Sequence, residues 1–231
     1  MHGSLGKLLK AVVHELSSPL VIVGGEDQGL SKDWGLAKQN AREGRVSLDD
    51  TQGILIAEFR EHGSRLAHLA TRSPRDAVRA LEAWVIEQVN TQRLSEISPG
   101  IAIESFTEFY EAGPEVFVRE CWLRDIEYFS SDDHKRHLLP VALEAFKDPQ
   151  LSRLLPVTSH GWLSFSRCTS YPFSTPGLWI GGHPDGRCRV RDQSPNERCV
   201  GDAKTVVAFV VQHLPQNFGP AIHGTADDFE T

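Results

Sequence analysis

An α+β fold is predicted by three features of the sequence. A strand pair feeds a capped helix between residues 53 and 89, the same order returns between residues 178 and 214, and a long helical stretch lies between them. Strands and helices that segregate along the chain, rather than alternating, mark this class. The expected architecture is a β-hairpin-plus-helix unit near each end flanking a helical middle. The recurrence suggests a pseudo-repeat in topology, since the residue identities of the two units do not match. A single domain over residues 1–231 accommodates this, with sub-units at 1–95, 96–156 and 157–231.

Leu5, Leu8, Leu9, Val12, Val13 and Leu16 recur at helical spacing, so residues 5–16 should form an opening helix ended by Ser17-Ser18-Pro19. Residues 20–23 read as a short buried strand closed by Gly24-Gly25. Residues 26–50 are polar with little periodicity and are expected on the surface, with a short helix over 36–43. Residues 53–60 and 65–71 look like strands joined by Glu61-His62-Gly63-Ser64, where Gly63 supplies the positive φ of a tight hairpin. The clearest helix start follows. Ser73 is placed to cap, Pro74 suits the first position and Asp76 suits the positive end of the dipole, while Val78, Leu81, Trp84 or Val85, and Val89 make an inward stripe.

In the middle, residues 104–111 should form a short helix, and Gly113-Pro114 restarts the chain. The next helix is expected to bury Val116, Phe117, Cys121, Trp122 and Phe129. Ser131-Asp132-Asp133 should cap a helix running to about residue 146, and residues 149–155 make a last short one ended by Leu154-Leu155-Pro156. Strands at 178–180, 187–191 and near 198–200, with a turn at His183-Pro184-Asp185-Gly186, lead into a final helix. Asp202 can cap it, Val206, Val207, Val210, Val211 and Leu214 form its buried face, and Pro215 follows its end.

A hydrophobic fraction of 40% over 231 residues is ample for a core. The net charge of -7 disfavours nucleic acid or an anionic membrane as main partner, since both need a concentrated positive field. The apolar run at 8–23 is interrupted by His14, Glu15 and Pro19, short of the roughly 20 residues a membrane span needs and unlike a signal peptide. Cys121, Cys168, Cys188 and Cys199 are widely spaced, which fits a reduced, cytoplasmic protein. Gly24-Gly25 and Gly181-Gly182 complete neither a dinucleotide fingerprint nor a phosphate loop, and neither a Gly-x-Ser-x-Gly elbow nor a His-Glu-x-x-His helix occurs. No cofactor is therefore expected, whether nucleotide, flavin or tightly bound metal.

The residues best suited to chemistry lie between 154 and 173. If residues 161–168 are extended, Trp162, Ser164, Ser166 and Cys168 share one side while Leu163, Phe165 and Arg167 share the other. His160 then stands roughly 26 Å from Cys168 at about 3.3 Å per residue, too far for a direct catalytic pair. Arg167 could hold a carboxylate or phosphate in its planar fork, and Thr169-Ser170-Tyr171-Pro172 sets three hydroxyls beside it. The competing reading is structural, with hydroxyls serving turn backbone and Arg167 paired to an acid. A second cluster, Asp132-Asp133-His134-x-x-His137, lacks a third or fourth metal ligand at a recognisable spacing and reads as a solvated helix start. The tail His223-Gly224-Thr225-Ala226-Asp227-Asp228 is expected to be docked or frayed.

Leu154-Leu155-Pro156-x-Thr158-Ser159-His160-Gly161, Phe165-Ser166-Arg167-Cys168-Thr169-x-Tyr171-Pro172, and Val210-Val211-x-His213-Leu214-Pro215 through Gly219-Pro220-Ala221 to Gly224-Thr225-Ala226-Asp227 carry a resemblance. They are similar to a family of uncharacterised bacterial, actinobacterial-type domains known only as natural product biosynthesis proteins. The likeness covers the C-terminal third, fits residues 53–89 in outline and does not reach the first fifty residues. The chain departs from it at Ser170, where the family pattern has glycine. The resemblance implies a role in assembling or tailoring a secondary metabolite and names no reaction.

The leading expectation is a cytoplasmic protein that binds a small organic intermediate and works by cofactor-free acid–base chemistry such as cyclisation, isomerisation or elimination. Arg167 would anchor an anionic group, Tyr171 and His160 would move protons, and Cys168 is the weaker candidate as nucleophile. The alternative is a non-catalytic module that binds a peptide, a carrier protein or a pathway enzyme through exposed sheet edges.

Overall fold

The computed structural model describes residues 4–24, 34–183, 185–192, 194 and 196–229. The expected α+β class holds: an antiparallel six-stranded sheet near the N-terminus, helices in the middle, and an antiparallel five-stranded sheet near the C-terminus. The chain divides into two compact units, residues 1–108 and 109–231.

In the first unit, α1 (Leu5–Glu15) precedes a sheet whose strand order follows the chain: β1 (Val23–Gly24), β2 (Trp34–Gln39), β3 (Arg42–Asp49), β4 (Ile54–Glu61), β5 (Ser64–Thr71) and β6 (Ile101–Ile103). Between β5 and β6 run α2 (Pro74–Val85) and α3 (Thr91–Ile97). Alternation puts Gly44, Phe59 and Ala67 on one rung and Val46, Ala57 and Leu69 on the next, all buried. That face receives α2, whose Val78, Leu81, Trp84 and Val85 are buried as its periodicity requires. Ser73 Oγ accepts from the Asp76 N–H, so the helix starts as its capping residues dictate.

Contact between helices and sheet depends on two missing side chains. A Cβ at Gly44 would stand 2.2 Å from Leu81 Cδ2, and one at Gly35 would stand 2.8 Å from Leu9 Cδ1. Farther along α2, Trp84 meets Phe59 edge-on at 6.2 Å and donates Nε1–H to Arg60 O at 3.1 Å. The Arg42 guanidinium lies 4.0 Å over the Trp84 ring, donates to the Trp84 carbonyl at 3.3 Å and pairs with Glu61 at 3.0 Å. A cation thus satisfies carbonyls at the helix end, where the dipole favours positive charge.

The short helix expected over 36–43 is instead the β2–β3 hairpin. Asn40 takes φ 55°, and residues 35–39 pair antiparallel with 42–46. Flanking glycines weaken helix there, and the buried alternation of Gly35 and Ala37 suits a sheet. The strand expected over 20–23 is reduced to Val23–Gly24. Of the surface excursion expected over 26–50, residues 26–33 lie, with Gly25, outside the described residues, and most of the remainder is instead β2 and β3, where Gly35, Ala37, Gly44 and Val46 are buried. The β4–β5 turn is tighter than expected, His62 and Gly63 both taking positive φ (47° and 84°).

In the second unit, α4 (Thr107–Glu111), which spans the division, is followed by α5 (Pro114–Ser131), α6 (Leu139–Lys147), β7 (Leu155–Ser159), β8 (Trp162–Ser166), β9 (Trp179–Gly182), β10 (Cys188–Arg191), β11 (Glu197–Gly201) and α7 (Ala203–Gln212). The strands form a meander in the order β11-β10-β9-β8-β7. Leu163, Phe165, Ile180 and Val190 face inward and are wholly buried, with α5 and α7 packed against the sheet. Trp122 of α5 centres this core, 6.0 Å from Phe165 and 5.8 Å from Phe146, with Nε1–H donated to Leu154 O at 3.0 Å.

Three expectations here are corrected. Leu155-Pro156 begins β7 rather than ending a helix: both are buried, and Pro156 opposes Phe165 on an edge strand that tolerates proline. The helix expected from Ser131 to about residue 146 begins only at Leu139, after a 3-10 turn at Arg136–Leu138, because Pro140 suits a first helical turn. On α5, Val118 replaces Val116 in the buried stripe, Val116 remaining 38% exposed. The tail is docked: Thr169 N–H donates to Ile222 O at 3.1 Å and Ser170 N–H to Gly224 O at 2.9 Å, while His223 stacks on Tyr110 at 3.8 Å. Among the described residues no helix is long and apolar enough to cross a membrane.

Gly44→Ala should cost about 1–3 kcal/mol through overpacking against Leu81. Urea denaturation checks this, and an unchanged midpoint would mean that α2 does not rest on β3 at that point. Asp125 on α5 gives a pH prediction: burial pushes its carboxyl from 3.8 up to about 6. The folded state then holds a proton that the unfolded state has released, so this contribution is complete below pH 3.8 and is lost as pH rises through about 6. Asp125→Asn should flatten that fall and stabilise the protein at neutral pH by up to about 3 kcal/mol, read from denaturation midpoints across pH.

Candidate groove on the outer face of the five-stranded sheet

Because Leu163, Ile180 and Val190 point inward, their strand neighbours point outward. Register aligns Trp162 of β8 with Gly181 of β9 and Arg189 of β10, and aligns Trp179 with Arg191 and Glu197. A Cβ at Gly181 would sit 2.7 Å from Trp162 Cε3, so only glycine lets the indole lie flat across β9. Lying there, the ring comes within 5.1 Å of the Arg189 guanidinium and 5.3 Å of that of Arg191.

One carboxylate serves both arginines. Glu197 Oε1 is 2.9 Å from Arg189 Nη1 and 3.3 Å from Arg191 Nη2. The Arg189 hydrogen bond, foremost among several, holds Glu197 below the ordinary carboxylate range. The Nε atoms of both arginines are buried without a hydrogen-bond acceptor. Of the other nearby acids, Asp192 is occupied by Ser194 and by Arg198 at 2.6 Å, and Asp185 by Arg187 at 2.7 Å. The face therefore carries an excess of positive charge within a chain whose net charge is -7.

Two hollows adjoin at Trp162 and His160. One, of about 360 Å³, is bounded by Ser159, Trp179, Arg191 and Asp192. The other, of about 550 Å³, is bounded by Lys135, His137, His183 and Arg189. His160 and Gly161 form the β7–β8 turn with positive φ (49° and 80°), which raises the imidazole at the junction, and Ser159 Oγ is 2.9 Å from its Nδ1. His137 approaches Gly182 and is 3.1 Å through Nε2 from the Gly161 carbonyl. His183 Nδ1 lies 2.7 Å from Asp185 Oδ1, and the Arg187 hydrogen bond holds Asp185 well below the carboxylate range. Pro184 of that expected turn lies outside the described residues.

Of the residues singled out from sequence, His160 lies in this groove, while Arg167, Cys168 and Tyr171 gather at the opposite end of β8. Cys168 is wholly buried; its thiol lies 3.3 Å from Ser166 Oγ and accepts from the Ser174 N–H at 3.1 Å. The Arg167 guanidinium lies 3.6 Å over Phe229 and, among the described residues, pairs with no carboxylate. Tyr171 is 80% exposed, its ring set edge-on to Phe173. The Asp132–His137 cluster contributes His134, Lys135 and His137 to a wall, and among the described residues no three His, Cys, Asp or Glu side chains are placed to hold a metal. The outward arginines were signalled by the alternation Arg187-Cys188-Arg189-Val190-Arg191, a strand with one charged face. Trp162 and Glu197 gave no comparable signal, because their partners come from other strands.

Fold and groove define an α+β protein with an open, tryptophan-lined groove bordered by arginines on one sheet. Residues 117–225 match the model of a family described as a family of unknown function, DUF6193. The match includes α6, α7 and all five strands that build the groove, and its description names no reaction. No curated protein and no solved structure matches the chain.

Gly181→Ala should lift the Trp162 indole from the sheet and change the near-ultraviolet circular dichroism while far-ultraviolet secondary structure persists. An unaltered near-ultraviolet spectrum would show that the ring does not depend on that close approach.

Proposed function

We propose that this protein binds a small organic anion bearing a flat ring on the outer face of its five-stranded sheet, as an intermediate of natural-product biosynthesis. The observation that carries the reading is the pair Arg189 and Arg191 beside Trp162, sharing one carboxylate next to two open hollows. Trp162 and Trp179 supply stacking surface, and the guanidinium forks suit a carboxylate or phosphate. The hollows fall in the size range of small-molecule sites. The resemblance of residues 154–227 to natural-product biosynthesis proteins supports the pathway context.

Within this reading His160 retains its role in proton transfer, because it stands at the junction of both hollows. His183, beside Asp185, is a second acid–base group on the same wall. Such a site supports cofactor-free isomerisation, cyclisation or elimination next to an anchored acid group. Arg167, Cys168 and Tyr171 take no part in the proposed binding step.

The test compares metabolites of a host lacking the gene with the same host carrying the wild type, Arg191→Ala or Trp162→Ala. An aromatic acid or phosphate that accumulates in the deletion and in both variants, and is cleared by the wild type, is the expected result. Purified wild type should bind that compound at least about tenfold more tightly than Arg191→Ala, the effect of losing one charge-assisted hydrogen bond. Full rescue by both variants would overturn the assignment of the groove.

A further inference from the structure

A further cavity in the C-terminal unit is independent of the groove. About 480 Å³ in volume, it lies where Pro114 and Val118 of α5 face Phe146 at the end of α6 and the returning segment Pro220, Ala221 and Ile222. Its floor is apolar and closed, Val118 being 2% and Ala221 5% exposed, whereas Ile222 stands 41% exposed at the lip. The far wall is fixed by backbone: Ala221 N–H donates to Arg153 O at 2.9 Å and Ile222 N–H to Arg167 O at 3.1 Å. The cleft is thus formed before any ligand arrives.

Its polar groups are few and unequal in charge. Arg119 of α5, and Arg153 of the 3-10 turn Leu151–Arg153, border the cleft together with Ser152. Most arginines of this chain pair with an acid; among the described residues these two pair with none. Glu115 also borders the cleft, at the first turn of α5 where the helix dipole favours it, and it forms no ion pair with Arg119 one turn later. Two cations against one anion leave room for a single negative charge. The aliphatic and proline floor, with Phe146 as its one ring, suits a chain more than a flat ring system.

We propose that this cleft binds an aliphatic monocarboxylate, with its hydrocarbon body on Val118, Phe146 and Ala221 and its carboxylate held by Arg119 and Arg153. Isothermal titration of the full chain with decanoate tests it, with decanol and decyltrimethylammonium as controls. Saturable binding of decanoate well ahead of both controls is expected, weakened at least about tenfold in Arg119→Ala/Arg153→Ala. Both arginines are exposed, so circular dichroism should show that variant folded. Ile222→Glu at the exposed lip should weaken decanoate binding as well, whereas Trp162→Ala should leave it unchanged. Absence of saturable binding, equal affinity for decanol, or full affinity in the double-arginine variant would overturn the proposal. Loss of decanoate binding in Trp162→Ala would also overturn it, by placing the acid in the sheet groove.

Discussion

The close approach of the Trp162 indole to the backbone of Gly181 is the constraint on which the candidate site rests. A side chain at that position would occupy the space of the ring. Without the flat indole, Arg189 and Arg191 would lose the surface beside which they lie, and the two hollows would lose their common boundary. The two sides of the same sheet therefore have different tasks. Leu163, Phe165, Ile180 and Val190 bury apolar area against helices, which favours folding, while the alternate positions are released for polar and aromatic groups.

Both units use one physical device to different ends. In the N-terminal unit, glycines at 35 and 44 let Leu9 and Leu81 approach the sheet, and the space they free is filled by core. In the C-terminal unit, Gly181 frees comparable space on an open face, and an aromatic ring with two cations fills it. Arginine placed beside tryptophan also occurs in both. Arg42 lies over Trp84 and satisfies backbone carbonyls, so its donors are spent within the fold. Arg189 and Arg191 share Glu197, and their buried Nε donors meet no acceptor. The same pair of residue types is structural in one setting and suited to binding in the other, and the difference lies in what else reaches the guanidinium.

Within the segment that looked richest in chemistry, Ser166 and Cys168 form a well-satisfied end of β8. The Cys168 thiol, the Ser166 hydroxyl and the backbone of residues 170–174 saturate one another, and the docked tail brings Ile222 and Gly224 against the same stretch. Hydroxyls and thiols clustered in a connecting segment can serve backbone as readily as substrate, because their hydrogen-bonding capacity is the same in either role. His160 escapes this fate because a two-residue turn lifts it away from the strand pair.

Much of the architecture was legible in the sequence because it depends on local signals. Ser73-Pro74 and Asp202 start helices by satisfying their own neighbours' N–H groups, and periods of two or of three to four residues declare strands and helices whatever their partners. At residues 36–43 a turn residue overrode a weak helical pattern, and at 131–146 a proline set the helix start that the capping signal at Ser131-Asp132-Asp133 had placed too early. The Arg-x-Arg-x-Arg strand was readable as a charged face. What lies opposite it was not, since strand register joins residues 19 and 27 positions apart, Trp162 to Gly181 and to Arg189, through backbone hydrogen bonds that carry no residue code. Sequence by itself determined the capped helices and the strands with clear alternation, together with their apolar sides; only tertiary structure decided the remaining strands and which polar sides meet, because that meeting is set by register and by the space a missing Cβ leaves.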